Sequence, residues 1–222
     1  MMEGANHVVF NNRIDAGTLL ASKFNSSGES QSLVLGLARG GVAVARSFAS
    51  ALRLSLDVLV IKKLSSPYNS EFALGAVAPD TVSVVHWSAA HRVGVDEQML
   101  AAEIQKKSGE IRLQLSQYRK GMKPLNVRDR QVILIDDGAA TGATMEAAIR
   151  WVRSKRARRV IVGVPVASVE AMKLLTPEAD RCVIYEVEHD LTAVGEFYKE
   201  FPQVSDADVV ELLRHNRTPV TD

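Results

Sequence analysis

The apolar positions of this chain fall into two alternating patterns. Short continuous runs of branched residues read as buried strands, and runs with apolar residues three and four apart read as helices. Residues 33–37, 56–61, 132–135, 160–164 and 182–187 are of the first kind. Two shorter runs, 72–78 and 82–85, flank Pro79-Asp80 and are patterned as a hairpin. Between them, 65–70 (Ser-Ser-Pro-Tyr-Asn-Ser) reads as a loop, because Pro and Asn are turn formers. Helical spacing is weak over 14–24 and clear over 42–52, where Val42, Ala45, Phe48, Ala49 and Leu52 share a face. It returns at Met145, Ala148, Ile149 and Val152, over 167–175, and after Ser205, which is placed to cap a last helix. The longest helical stretch is 96–120, with Asp96 as its cap and Leu100, Ile104, Ile111, Leu115 and Tyr118 as its stripe, a packing or dimer face. At full length it would span about 35 Å. Gly109 interrupts it at a cost of about 1 kcal/mol relative to Ala. Strands alternating with helices predict an α/β domain built on a mainly parallel sheet.

In such sheets ligands bind beyond the carboxyl ends of the strands. Three strand ends carry chemistry. The 132–135 run ends in Asp136-Asp137, followed by the small-residue loop 138–143 and a helix. A loop that opens a helix presents unpaired N–H groups and the positive end of the helix dipole, which suits a phosphate. Thr141 and Thr144 add hydroxyl donors. The 33–37 run ends in Ala38-Arg39-Gly40-Gly41, where backbone can approach a ligand closely, and the 56–61 run ends in Lys62-Lys63. Together these predict a multiply anionic sugar phosphate: one phosphate on 138–144, hydroxyls or a metal on the two carboxylates, and a second anionic group on Arg39 and the lysines. Phosphoribosyl diphosphate (PRPP) with Mg2+ has that layout.

Composition narrows this further. The 222 residues fit one domain with a small appendage, and 46% apolar content suffices for a large core. A net charge of +1 gives no footprint for nucleic acid or an anionic membrane. The basic cluster from Arg150 to Arg159 lies near a helix C-terminus, where the dipole favours cations. No apolar run reaches the ~18 residues of a membrane span, and no signal-peptide pattern opens the chain, so a cytoplasmic protein is expected. The Asn-x-Ser/Thr matches at Asn25 and Asn216 are then chance. Cys182, the single cysteine, lies in an apolar run and reads as a small hydrophobe. His7, His86, His91, His189 and His215 have no metal spacing.

The stretch 132–144 resembles the PRPP-binding motif of the type I phosphoribosyltransferases: a hydrophobic strand, two acidic residues, then Ala-Thr-Gly-x-Thr. Gly-Leu-Ala-Arg-Gly-Gly at 36–41 resembles their diphosphate loop. With Lys63-Leu64 and the 67–77 segment, these motifs resemble a group of predicted phosphoribosyltransferases of unassigned acceptor, over roughly residues 8–213. The resemblance implies a single domain over 1–222. Its core would be a mainly parallel five-stranded sheet flanked by helices. A small hood would come from 186–204, with the N-terminus as a further candidate contributor, and a mobile loop region would cover 65–80. It implies Mg-dependent transfer of 5-phosphoribosyl from PRPP to a nitrogenous acceptor, with a nucleobase as the leading candidate and diphosphate released. Asp136, Asp137 and Arg39 would be catalytic, and Asp136 and Asp137 would hold Mg2+ directly or through water. Gly138, Ala139, Ala140, Thr141, Gly142, Ala143 and Thr144 would hold the 5-phosphate. Ala38, Arg39, Gly40, Gly41, Lys62 and Lys63 would hold diphosphate, with a non-proline cis peptide near Ala38-Arg39. Glu71, Val194, Phe197 and Tyr198 are candidate acceptor residues, and a homodimer is expected. Ala140 departs from the 6-oxopurine enzymes, which carry an acid at that place. Two other readings compete: a PRPP-sensing regulator that binds nucleic acid or a protein, and a flavodoxin-like nucleotide-binding domain. The first lacks a helix-turn-helix pattern, and the acidic pair with Arg-Gly-Gly argues against the second.

Overall fold

Five strands pair in the order β2-β1-β6-β7-β8, all parallel, in the computed structural model, which describes residues 9–24, 31–66 and 68–214 (69–72 by backbone alone). They are β1 (Leu33–Ala38), β2 (Ser55–Val60), β6 (Gln131–Ile135), β7 (Arg159–Ser168) and β8 (Arg181–Glu188). Every residue of β6 and the first five of β1 are buried. That is why their sequences are continuous apolar runs rather than alternating ones: helices cover both faces of the sheet. Register is direct, with Leu35 opposite Leu134 and Ile135 opposite Gly163, so the chemistry-bearing strand ends emerge along one edge.

The helices are α1 (Arg13–Ala21), α2 (Gly40–Leu52), α3 (Trp87–Arg92), α4 (Glu97–Tyr118), α5 (Ala143–Ser154), α6 (Val169–Leu175) and α7 (Asp206–Arg214). Helix α4 is continuous through Gly109 and is capped by the Asp96 carboxylate, which accepts from the Met99 N–H at 2.8 Å. Leu100, Ile111 and Tyr118 are buried, and Ile104 and Leu115 pack on the core, so the stripe is an intramolecular packing face. Ser205 and Asp208 cap α7 reciprocally, side chain to backbone, at 3.1 and 2.8 Å.

Two stretches differ from expectation. Residues 65–70 are mostly strand, not loop. β3 (Lys62–Ser66) and β4 (Asn69–Val77) form a hairpin, and β4 pairs onward with β5 (Ser83–Val85) to give a three-stranded antiparallel sheet. The polar run Lys62-Lys63…Ser65-Ser66 hides β3, since Leu64 is its one large apolar residue. The expected 72–78/82–85 hairpin is the β4–β5 pair, turning through Pro79–Thr81. Strand β7 also runs four residues past its apolar signal, through Pro165. Beyond that proline its partners are β8 on one side and the loop at Ala139 on the other. The readings at His7, Asn25, His215 and Asn216 lie outside the described residues.

A smaller cluster sits at the C-terminal edge of the main sheet. Phe10, Ala16, Val166, Phe197 and Tyr198 form it, with Leu191 and Val194 against it. Residues 9–11 hydrogen-bond along 197–200, with Val9 and Phe10 donating to the Phe197 carbonyl, and Lys199 and Glu200 donating back to Phe10 and Asn11.

Candidate functional site

The C-terminal ends of β1 and β6 and the start of β3 open onto one cavity of about 300 Å³. It is lined by Ala38, Arg39, Gly40, Lys63, the loop from Asp136 to Gly142, Thr144 and Val194, with Ile61 and Met145 behind. Most residues singled out in the three motifs therefore share one wall. Gly41, Lys62, Ala143, Phe197 and Tyr198 do not line it. Gly41 lies beneath the acidic pair: a Cβ there would sit 2.6 Å from Asp136 Oδ1 and 2.8 Å from the Ile135 carbonyl oxygen. Only glycine lets the start of α2 come this close. Lys62 opens β3 after a single residue, Ile61, rather than ending β2. Phe197 and Tyr198 are buried in the small cluster. The side chain of Glu71 lies outside the described residues.

The 138–142 loop is held from below by the extension of β7. Ala139 donates to the Val166 carbonyl and Ser168 donates back to the Ala139 carbonyl, both at 2.9 Å. The Ser168 hydroxyl donates to the Ala140 carbonyl at 2.6 Å and accepts from Ala171 N–H at 2.9 Å, capping α6. With its carbonyls turned down into these bonds, the loop runs into Gly142, whose φ of 76° reverses the chain into α5. The first N–H groups of α5 have no intrahelical partners, and the Ala143 N–H reaches the Thr141 hydroxyl at 3.5 Å. The peptide Ala38–Arg39 is cis, as expected from the resemblance.

The electrostatics are asymmetric. Burial, then the neighbouring Asp137 charge, push the Asp136 carboxyl well above the usual carboxylate range, and Lys63 opposes this. Asp136 Oδ1 accepts from the Asp137 N–H at 2.9 Å. Asp137 is ion-paired at 2.8 Å with Arg13, a residue that the sequence pattern did not single out. The Tyr198 hydroxyl donates to the Asp137 carbonyl at 2.6 Å, and burial pushes that phenol far up. Arg39 leans toward α7, where its Nη1 is 3.7 Å from Asp206. Asp206 also accepts from Tyr118 and Gln114, and the Tyr118 hydroxyl holds its carboxyl below the usual range. Among the described residues no group of three or more His, Cys, Asp or Glu could cage a metal, and no helix is long and apolar enough to cross a membrane.

A wall with two carboxylates, a helix-opening loop and cationic groups can bind a phosphorylated diol and a second anion together. Comparisons with known proteins agree with this architecture. Residues 10–196 match the family model described as the phosphoribosyl transferase domain. The chain is 34% identical over 205 residues to Rv0571c of Mycobacterium tuberculosis (strain H37Rv), provisionally named a phosphoribosyl transferase. That match covers 92% of this chain but 46% of the relative, so the chain spans about half the length of the curated relatives it matches. The crystal structure of TT1426 from Thermus thermophilus superposes with a TM-score of 0.77 at 40% identity, covering 93% of this chain and 98% of that one. A Neisseria gonorrhoeae hypothetical protein solved with bound ppGpp shares the fold at 14% identity, with a TM-score of 0.50, over 92% and 93% of the two chains. By the match over 10–196 and these relatives, the chain belongs to the phosphoribosyl transferase domain family.

Proposed function

We propose that the chain binds Mg2+ with PRPP and transfers the 5-phosphoribosyl group to a nitrogenous acceptor. The observation that carries this is the convergence of the 138–144 loop, the acidic pair, Arg39-Gly40 and Lys63 on one cavity. The 5-phosphate sits on the N–H groups that the start of α5 leaves without intrahelical partners and on Thr141 and Thr144. The ribose hydroxyls meet Asp136 and Asp137. The diphosphate lies toward Ala38–Gly41 and Lys63, with Arg39 turning from Asp206 to meet it. The C1–oxygen bond to diphosphate breaks as the acceptor nitrogen bonds to C1, and the acceptor's N–H proton passes to solvent.

The donor set fits Mg2+, which is held by one or two carboxylates and the substrate's own phosphate oxygens rather than by an all-protein cage. Asp136 and Asp137 are the carboxylates on this wall, and the ion when bound supplies charge neutralisation to the departing diphosphate. The protein's own contribution is orientation and fixed positive charge. The stretch from 186 to 204, braced by residues 9–11, is the hood over the acceptor, with Val194 as its contact to the cavity. With Ala140 in place of an acid, the acceptor is held by groups other than a carboxylate at that position. Phe197 and Tyr198 serve the hood as packing rather than as stacking platforms.

Diphosphate release from Mg2+ and PRPP, measured against a panel of nucleobases and simple amines, tests the reading. Acceptor-dependent release with at least one of them is expected. Tight PRPP binding with no release for any acceptor would favour a PRPP-sensing regulator instead.

A further inference from the structure

Arg13 opens α1, which the Asn12 side chain caps by accepting from Ile14 and Asp15 N–H groups at 3.0 Å. Three contacts fix its guanidinium. Nε donates to Asp137 Oδ2 at 2.8 Å, Nη1 donates to the Pro202 carbonyl at 2.7 Å, and the plane lies 3.6 Å from the centroid of the Phe201 ring. The pair is sheltered, with side chains 10% and 18% exposed. A Cβ at Gly40 would sit 1.9 Å from Asp137 Oδ2 and 3.1 Å from Arg13 Nε, so the ion pair fills the space that the glycine leaves. The backbone of Asp137 is pinned separately by the Tyr198 hydroxyl.

We infer that Arg13 is a positioning residue for Asp137: by holding Oδ2 against α1, it presents the other carboxylate oxygen to the sugar hydroxyls of the ligand. This rests on the PRPP reading of the cavity. The physical ground is that Asp137 adjoins a second carboxylate, Asp136, whose Oδ1 accepts from the Asp137 N–H. A carboxylate sheltered to this degree needs a fixed polar partner, and without the guanidinium the Asp137 side chain turns toward water. A guanidinium fork suits the task, because one nitrogen can hold the carboxylate while another is anchored on a carbonyl. The anchor, Pro202, lies near the end of the 186–204 stretch, just before α7, so the acidic pair and the hood share one bolt.

The test compares ligands with and without the sugar. Binding of Mg2+–PRPP and of inorganic diphosphate alone is measured by calorimetry for wild type, Arg13→Gln, Arg13→Lys and Phe201→Leu, with the melting temperature of each. Arg13→Gln should weaken PRPP binding by about tenfold or more, while diphosphate affinity stays within about twofold. Arg13→Lys keeps the charge but cannot hold Asp137 and the Pro202 carbonyl through one rigid fork, and it should lose about threefold for PRPP, again with diphosphate unchanged. Phe201→Leu removes the stacking but not the ion pair, so it should lower the melting temperature and leave PRPP affinity within about twofold. If Arg13→Gln does not fold, Arg13→Lys decides. PRPP affinity equal to wild type in that variant, or equal losses for PRPP and diphosphate, would overturn the inference. Wild-type protein that fails to bind PRPP would instead overturn the reading of the cavity, and this inference with it.

Discussion

Asp136 sits where burial and charge oppose one another. Its folded-state pKa lies above the unfolded value of 3.8, so the folded protein retains a proton that the unfolded chain has already lost. The sign follows from linkage: its contribution to stability is complete below the unfolded pKa and is lost as pH rises through the folded one. Asp136→Asn should therefore raise the melting temperature of the ligand-free, metal-free protein at neutral pH. The gain should shrink to nothing only well below the unfolded value of 3.8, where the carboxyl is neutral in the folded and the unfolded chain alike. Equal melting temperatures at pH 7 would contradict this account of the residue. Gly41→Ala acts in the opposite sense. Its Cβ would meet backbone, 2.7 Å from Asp136 Cα and 2.8 Å from the Ile135 oxygen, which cannot step aside cheaply. A loss of about 1–3 kcal/mol in denaturant unfolding is expected, and unchanged stability would show that the close approach is dispensable. At this scale the sequence was informative for Asp136, Asp137, Arg39 and Gly40 because each stands in a local motif. Arg13 was not legible: its partner lies 124 positions away, and nothing in Asn-Asn-Arg-Ile marks it.

Elements were legible where their local signal agreed with their tertiary role. Strands β1, β6 and most of β7 are buried on both faces and read as apolar runs. Helices α4 and α7 carry their caps in the sequence, and Asp96 and Ser205 both cap as expected. Strand β3 was missed because its residues are mostly polar, and the end of β7 because Pro165 resembles a terminator. Gly109 suggested a break in α4, but packing overrides propensity there. A Cβ at Gly109 would meet nothing within 4 Å, so Gly109→Ala should stabilise the protein by about 1 kcal/mol in chemical unfolding, and a loss of stability would mean that the position is covered. Ser168 joins two elements, capping α6 while tying down the Ala140 carbonyl. Ser168→Ala should cost about 1 kcal/mol of stability and weaken phosphate-dependent binding. Unaltered affinity would show that the loop holds its shape without that bond.

For the whole molecule, strand order does the organising. A parallel sheet brings the ends of β1 and β6 side by side, and the single residue between β2 and β3 brings Lys63 to the same edge. Residues 9–13 and 197–202 meet above that edge, so both ends of the described chain brace the acidic pair. The sequence indicated this layout through its three strand ends. It could not indicate the closure from the chain ends, which depends on contacts between segments far apart in sequence. The central claim is that the acidic pair receives the sugar of PRPP, and one calorimetric titration tests it most directly. Mg2+–PRPP is titrated into wild type and into the Asp136→Asn, Asp137→Asn double variant, with folding checked by melting. Saturable 1:1 binding by wild type, abolished in a variant that remains folded, is the predicted result; equal affinity for the two proteins would contradict the account.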